Sequence, residues 1–211
     1  KGCNLIIAHH PIIFSGLKRL TGRNYIEQTV IKAIQNNIVI YAIHTNLDNI
    51  HTGVNHMMAQ KIGLQKCRIL APKAHTLIKL CTFVPSSHAS SVRTALAAAG
   101  AGQLGHYKAC SFSSTGEGRF EALEGANPFV GTVQNSHCEE EVRIEVVVHK
   151  HLTSQVLKAL HQSHPYEELA YDLIALEQTD AHIGAGLIGT LEEPMPIAQF
   201  LSHLKQQFEL E

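Results

Sequence analysis

Tryptophan is absent from the 211 residues, and charge is sparse at 17% of the chain. Its 17 Lys and Arg against 18 Asp and Glu leave a formal net charge of −1. That balance excludes general affinity for nucleic acid, because neutralising a phosphate backbone takes a clustered excess of basic side chains. Long apolar runs are lacking too. Ile38 to Ile43 is among the longest, far short of the roughly 20 residues that span a bilayer. No basic segment followed by an apolar stretch opens the chain, so no secretory leader is expected. The cysteines, at positions 3, 67, 81, 110 and 138, form no C-x-x-C pair, and an odd, scattered set suits a reducing compartment better than a disulfide framework. The expectation is a cytoplasmic protein that binds neither nucleic acid nor membrane. What is plentiful is histidine, at 15 residues, and apolar side chains, at 45%, enough for the core of one or two domains. The chain enters an apolar run directly after Lys1 and Gly2, as if it started inside a longer protein.

Leu5 to Ala8 is all apolar and ends in His9-His10-Pro11, the pattern of a strand buried on both faces in a parallel sheet. Asn24 three residues before Glu27 makes a capping-box-like start for a helix carrying Ile26, Val30 and Ile34, which Asn36 and Asn37 stop. Ile38 to Ile43 is again strand-like, so the segment reads as a parallel βαβ unit. A second helix fits Val54, Met58 and Ile62, with Gly63 as its stop. From Leu77 the pattern changes. A strand over Leu77 to Val84, a helix from Ser87, strands flanking a turn at Gly116 to Gly118, a strand over Val142 to Val148, a helix around Val156 and Leu160, and a strand over Ala170 to Leu176 give the order βαββαβ. This is the ferredoxin-like split βαβ arrangement. A Pro-containing turn and a helix with Ile197, Phe200, Leu201 and Leu204 follow. The expected architecture is α/β, with one domain formed by residues 1–76 plus 178–211 and interrupted by a ferredoxin-like domain over 77–177.

His9 and His10 fall at the C-terminal end of a predicted strand, the edge where open α/β sheets bind ligands. Adjacent strand residues point to opposite faces, but Pro11 holds His10 in an extended or turn conformation where the strand ends, so both rings can face one crevice. His44-Thr45-Asn46-Leu47-Asp48 leaves the next strand at the same edge. Three imidazoles and a carboxylate there match the ligands of zinc, manganese or iron, with His51 and His56 close enough to support them. The residues leave a second reading open, in which His9 and His10 are surface histidines and Asp48 opens a turn or caps the following helix.

The runs IIAHHPIIFSGLKRL and YAIHTNLD resemble the Nif-three-like family, the GTP cyclohydrolase I type II homologues. LEGANPFVG, EEVRIEVVV and HPYEELAYDL are similar to the inserted PII-like domain of its longer bacterial members. The resemblance implies a dinuclear site for two divalent ions, zinc, iron or manganese, with His9, His10 and Asp48 as ligands and hydrolysis of a small molecule as the chemistry. His44 is then the nearby candidate for general acid or base. It also implies a homohexamer with trimer contacts through the insert. The competing expectation is a non-enzymatic metal-binding regulatory or scaffold assembly. The family completes its site with a His and a Glu close together near the C-terminus. No such pair follows Gly189, and His203 has Gln206 and Gln207 where the Glu would be sought. The host domain is therefore expected to lack both ends.

Other motifs carry less. Gly184 to Gly189 spells G-x-G-x-x-G, but a dinucleotide fingerprint needs a helix directly after it, and Thr190 to Pro196 is no helix start. Close backbone packing is expected there. His164-Pro165-Tyr166-Glu167-Glu168 reads as a turn with a satisfied histidine, or as a contact for a ligand at a subunit interface. Cys81 and Cys110 are expected on strands as small core residues. His88, His106, His137, His149, His151 and His161 lack metal-ligand spacing and are expected to be mostly solvated.

Overall fold

Leu5–Ala8 (β1) and Val39–Ala42 (β2) pair in parallel, with Leu5 opposite Val39 and Ala8 opposite Ala42, and the helix Tyr25–Gln35 (α1) lies between them in sequence. The computed structural model describes residues 2–210. α1 starts where the capping pair predicts. The side chain of Asn24 accepts from the Glu27 N–H at 2.9 Å and donates to Glu27 Oε1 at 3.0 Å. The other Glu27 oxygen accepts from the Thr21 N–H at 2.7 Å, the Thr21 hydroxyl at 2.8 Å and the Arg23 N–H at 3.2 Å. These donors let a carboxylate be buried, and those of Thr21, the hydroxyl above all, hold it below the usual carboxylate range. Asn37, at φ 51°, turns the chain out of the helix.

The chain then forms a 3-10 turn over His44–Asn49 and a helix over Val54–Ile62 (α2), ended by Gly63 at φ 83°. Gln65–Pro72 (β3), a strand the sequence reading did not foresee, pairs antiparallel with Gly184–Thr190 (β8), Ile69 opposite Leu187 and Pro72 opposite Gly184. Its alternation of Cys67 and Ile69 with Arg68 and Leu70 is too short to announce a strand. Ile197–Gln207 (α5) follows β8. These elements form one compact unit, up to Pro72 and from Ala181 onward. One expectation fails in it. β1 is not buried on both faces, since Ile7 is 67% exposed and Leu5 and Ile6 about half so. Among the described residues its sheet has two strands, and an apolar run is buried only where another layer covers it.

The second unit covers Lys73–Asp180. It contains Leu77–Pro85 (β4), Ala89–Ala98 (α3), Phe112–Glu121 (β5), Ser136–His149 (β6), Thr153–Ser163 (α4) and Tyr171–Ala175 (β7). The sheet order is β5-β6-β4-β7, antiparallel throughout. Its limits lie a few residues outside the expected 77 and 177. Thr76 explains this: its carbonyl accepts from the Lys150 N–H at 2.8 Å and its hydroxyl from the Asp180 N–H at 3.2 Å. Alternate residues of β4 and β6, Leu80 opposite Val146 and Ile78 opposite Val148, join Val92 and Leu96 of α3 and Val156 and Leu160 of α4 in one core. Each such side chain contributes about 1.5–3 kcal/mol by leaving water.

β5 corrects a second expectation. It runs unbroken through Gly116 and Gly118, which mark no turn. The reversal comes later, between Glu121 and Ser136, and Gly118 packs against the Glu141 side chain. Cys81 is buried on β4, whereas Cys110 lies just before β5 and is half-buried. No helix of the described residues is long and apolar enough to cross a membrane.

Candidate metal centre

The parallel pairing of β1 and β2 continues past both strands. The Ile43 N–H donates to the Ala8 carbonyl at 3.0 Å and the His44 N–H to the His9 carbonyl at 2.9 Å. His44 has φ 43°, so the chain turns sharply into the 3-10 segment just where its imidazole leaves the backbone. The ring centroids of His9 and His10 are 4.6 Å apart, those of His9 and His44 5.3 Å, and those of His10 and His44 5.7 Å. One nitrogen from each ring lies within 4.8 Å of the other two, and all three side chains are exposed. Ligand nitrogens about 2.0–2.1 Å from one zinc ion stand closer together than that limit, a difference that small rotations of exposed rings close. Three neutral imidazoles are a donor set for zinc, iron or another first-row cation.

Of the three imidazoles and one carboxylate that the sequence puts at this edge, the structure brings the three imidazoles together. His44, expected as an acid or base beside the ligands, stands among the ligand-type imidazoles. Asp48, expected as a ligand, is half-buried in the 3-10 turn, and its carboxylate is not in the mutually close set. Its backbone carbonyl accepts from the Asn55 side-chain amide at 2.7 Å. His51 and His56 form another group with His182, at 5.7 Å between His51 and each of the others. The buried Nδ1 of His56 has no hydrogen-bond partner among the described residues. His182, distant in sequence, carried no signal of this. It arrives because the His51 N–H donates to its carbonyl at 3.0 Å. His203 donates from Nε2 to the Ile62 carbonyl at 2.9 Å, closing the end of α2.

The other motifs resolve simply. Gly184 to Gly189 is strand, not a strand-to-helix loop. A Cβ at Gly184 would meet the backbone of Ala71 and Pro72, and one at Gly189 the Cys67 sulfur and the Gln65 carbonyl. His164 is buried. Its Nδ1 accepts from the Tyr166 N–H at 3.1 Å and its Nε2 donates to the Phe83 carbonyl at 2.9 Å, so both ring nitrogens of the neutral form are used. Burial lowers its pKa. Two of the histidines expected in solvent have carboxylate neighbours. His137 Nε2 lies 3.0 Å from Glu139, and His149 Nδ1 lies 3.0 Å from Asp180, off the direction a hydrogen bond requires.

Over residues 1–211 the sequence matches the family described as Duf34/NIF3 (NGG1p interacting factor 3). The chain belongs to that family. It is 42% identical over 210 residues to a Halalkalibacterium halodurans protein named GTP cyclohydrolase 1 type 2 homolog, covering 99% of this chain and 56% of that one. With the Bacillus subtilis protein of the same name it shares 41% over 211 residues, covering 100% and 57%. The crystal structure of a Bacillus cereus protein related to NIF3 is similar at 43% identity and a TM-score of 0.77, over 100% of this chain and 56% of that one. The chain therefore spans a little over half the length of these family members.

Proposed function

We propose that His9, His10 and His44, together with Asp48 of the 3-10 turn that follows His44, are this chain's share of a dinuclear divalent-metal site in a hydrolase-like protein that acts on a small molecule. The observation that carries this reading is the convergence of three imidazoles, one nitrogen of each within 4.8 Å of the others. A bound cation would supply Lewis-acid polarisation of the electrophile and activation of water. The chain's own part is to orient the donors. The His44 N–H bond to His9 and the turn at φ 43° fix where the two rings start. The names of the relatives suggest a purine nucleotide as substrate. The residues around the histidines bear on hydrolysis rather than on a base, so the reading stops at a hydrolysable small molecule.

The unit Lys73–Asp180, with its own core and interleaved βαβ order, is in this reading a PII-like insert that builds a trimer, two trimers making a cytoplasmic homohexamer. A self-sufficient insert also favours a second reading, a non-enzymatic metal-binding regulatory or scaffold assembly. Metal content by mass spectrometry, turnover on a panel of hydrolysable nucleotides and sedimentation, measured on the full-length protein and its His10→Ala variant, separate the two. An enzyme loses metal and turnover together while keeping its assembly. Metal binding with no turnover on any substrate favours the scaffold, and equal metal content in both forms removes the site.

A further inference from the structure

The second unit holds a cleft of about 370 Å³ on the sheet face opposite α3 and α4, a volume suited to a small ligand. Its floor is Gly118 of β5 and Glu141 of β6, and rings of Phe83, Phe120, Phe129 and Tyr166 line it. The Tyr166 ring centroid stands 6.1 Å from that of Phe120 and 6.3 Å from that of Phe129. The loop carrying Phe129 is tied down by the Asn127 N–H, which donates to Glu167 at 2.7 Å.

Glu141 is only 9% exposed. One of its oxygens accepts from the Tyr166 hydroxyl at 2.9 Å, and no basic side chain among the described residues forms an ion pair with it. Arg119, the one basic residue lining the cleft among the described residues, is engaged by Glu117 at 2.6 Å. Glu121, Glu167 and Glu168 add negative charge at the rim. A Cβ on Gly118 would fall on the Glu141 carboxylate, so the glycine leaves that group its present place on the cleft floor. A buried carboxylate with a single donor is costly unless a cation completes it. Aromatic walls attract the same kind of partner through their ring faces.

We propose that this cleft binds a small organic cation, an ammonium or guanidinium group on an apolar body, with Glu141 as its counter-ion and the four rings as its walls. The site lies in the other unit from the histidine cluster and does not depend on the metal reading.

The test is titration calorimetry of the 211-residue chain at pH 7 with 2-phenylethylamine and agmatine as cations, and with 2-phenylethanol and 3-phenylpropionate as neutral and anionic controls. At least one cation is expected to bind about tenfold or more tightly than either control, the scale of one charge-assisted hydrogen bond. Glu141→Gln should remove that preference, and Phe129→Ala, at a half-exposed wall, should weaken the cation severalfold. If Glu141→Gln does not fold, amide shifts decide. Changes at Gly118, Glu141 and Tyr166 on adding the cation support the site, and their absence overturns it. Binding equal for cation and neutral control, no binding by either cation, or binding that declines as chain concentration rises because a second copy fills the cleft, each overturns the proposal.

Discussion

The His44 N–H donates to the His9 carbonyl at 2.9 Å, and the imidazoles of the same two residues face each other with centroids 5.3 Å apart. One backbone bond thus brings together rings separated in sequence by a whole helix and a strand. The rings are exposed and pack little, so removing one should cost little stability. His9→Ala, His10→Ala and His44→Ala are each expected to weaken zinc binding about tenfold or more, with melting temperatures close to that of the parent chain. Asp48→Asn should weaken it less than any of them. Competition titration against a chromophoric chelator measures all four, and unchanged affinity in His44→Ala would show that its position among the rings is incidental.

His164 makes the second unit sensitive to acid. Burial lowers its pKa, whereas in the unfolded chain it titrates near about 6.5. As pH falls through that value the unfolded state takes up a proton that the folded state refuses, so stability falls with pH. The ring resonances of His164 are expected to titrate below the ordinary imidazole value. His164→Gln should lower the urea midpoint at pH 7.5 and flatten its decline between about pH 7 and 5.5. An ordinary titration for His164 by NMR contradicts this.

The N-terminus of α1 carries a dependence at lower pH. The donors of Thr21 and Arg23 hold the Glu27 carboxyl below its usual range. Its stabilisation is complete above the unfolded carboxyl pKa and is lost as pH falls through the lower, folded value. Glu27→Gln should therefore lose stability at neutral pH and show less of the acid-induced loss. Asn24→Ala, which removes the cap, should cost about 1 kcal/mol by urea unfolding at neutral pH.

Gly184 tests the reading of the glycine-rich strand. A Cβ there would fall on the Ala71 and Pro72 backbone, which has little room to withdraw. Gly184→Ala is expected to destabilise the chain by about 1–3 kcal/mol through overpacking. Gly116, with open space where a Cβ would stand, should accept alanine with a far smaller effect. Thermal unfolding of the two variants side by side gives the comparison, and equal melting temperatures would remove the packing role of Gly184.

Local sequence was enough for much of this molecule. The cap at Asn24, the stop at Gly63, the strands over Leu77 to Val84 and Val142 to Val148 and the placing of His9 and His10 at a strand end all rest on interactions within a few residues or on the composition of one element. The Gly116 to Gly118 turn failed for the same reason. Locally a glycine pair looks like a reversal, and only the position of Glu141 on the neighbouring strand shows what Gly118 faces. The sequence placed His44 at the same edge as His9 and His10, but only tertiary pairing decided that Asp48 stays out of the close set, that His182 comes to His51, and that Glu141 lies in a cleft with Tyr166. In each case the partners are distant in the chain, and their meeting depends on strand register and the angle of a turn, which no short window of sequence contains.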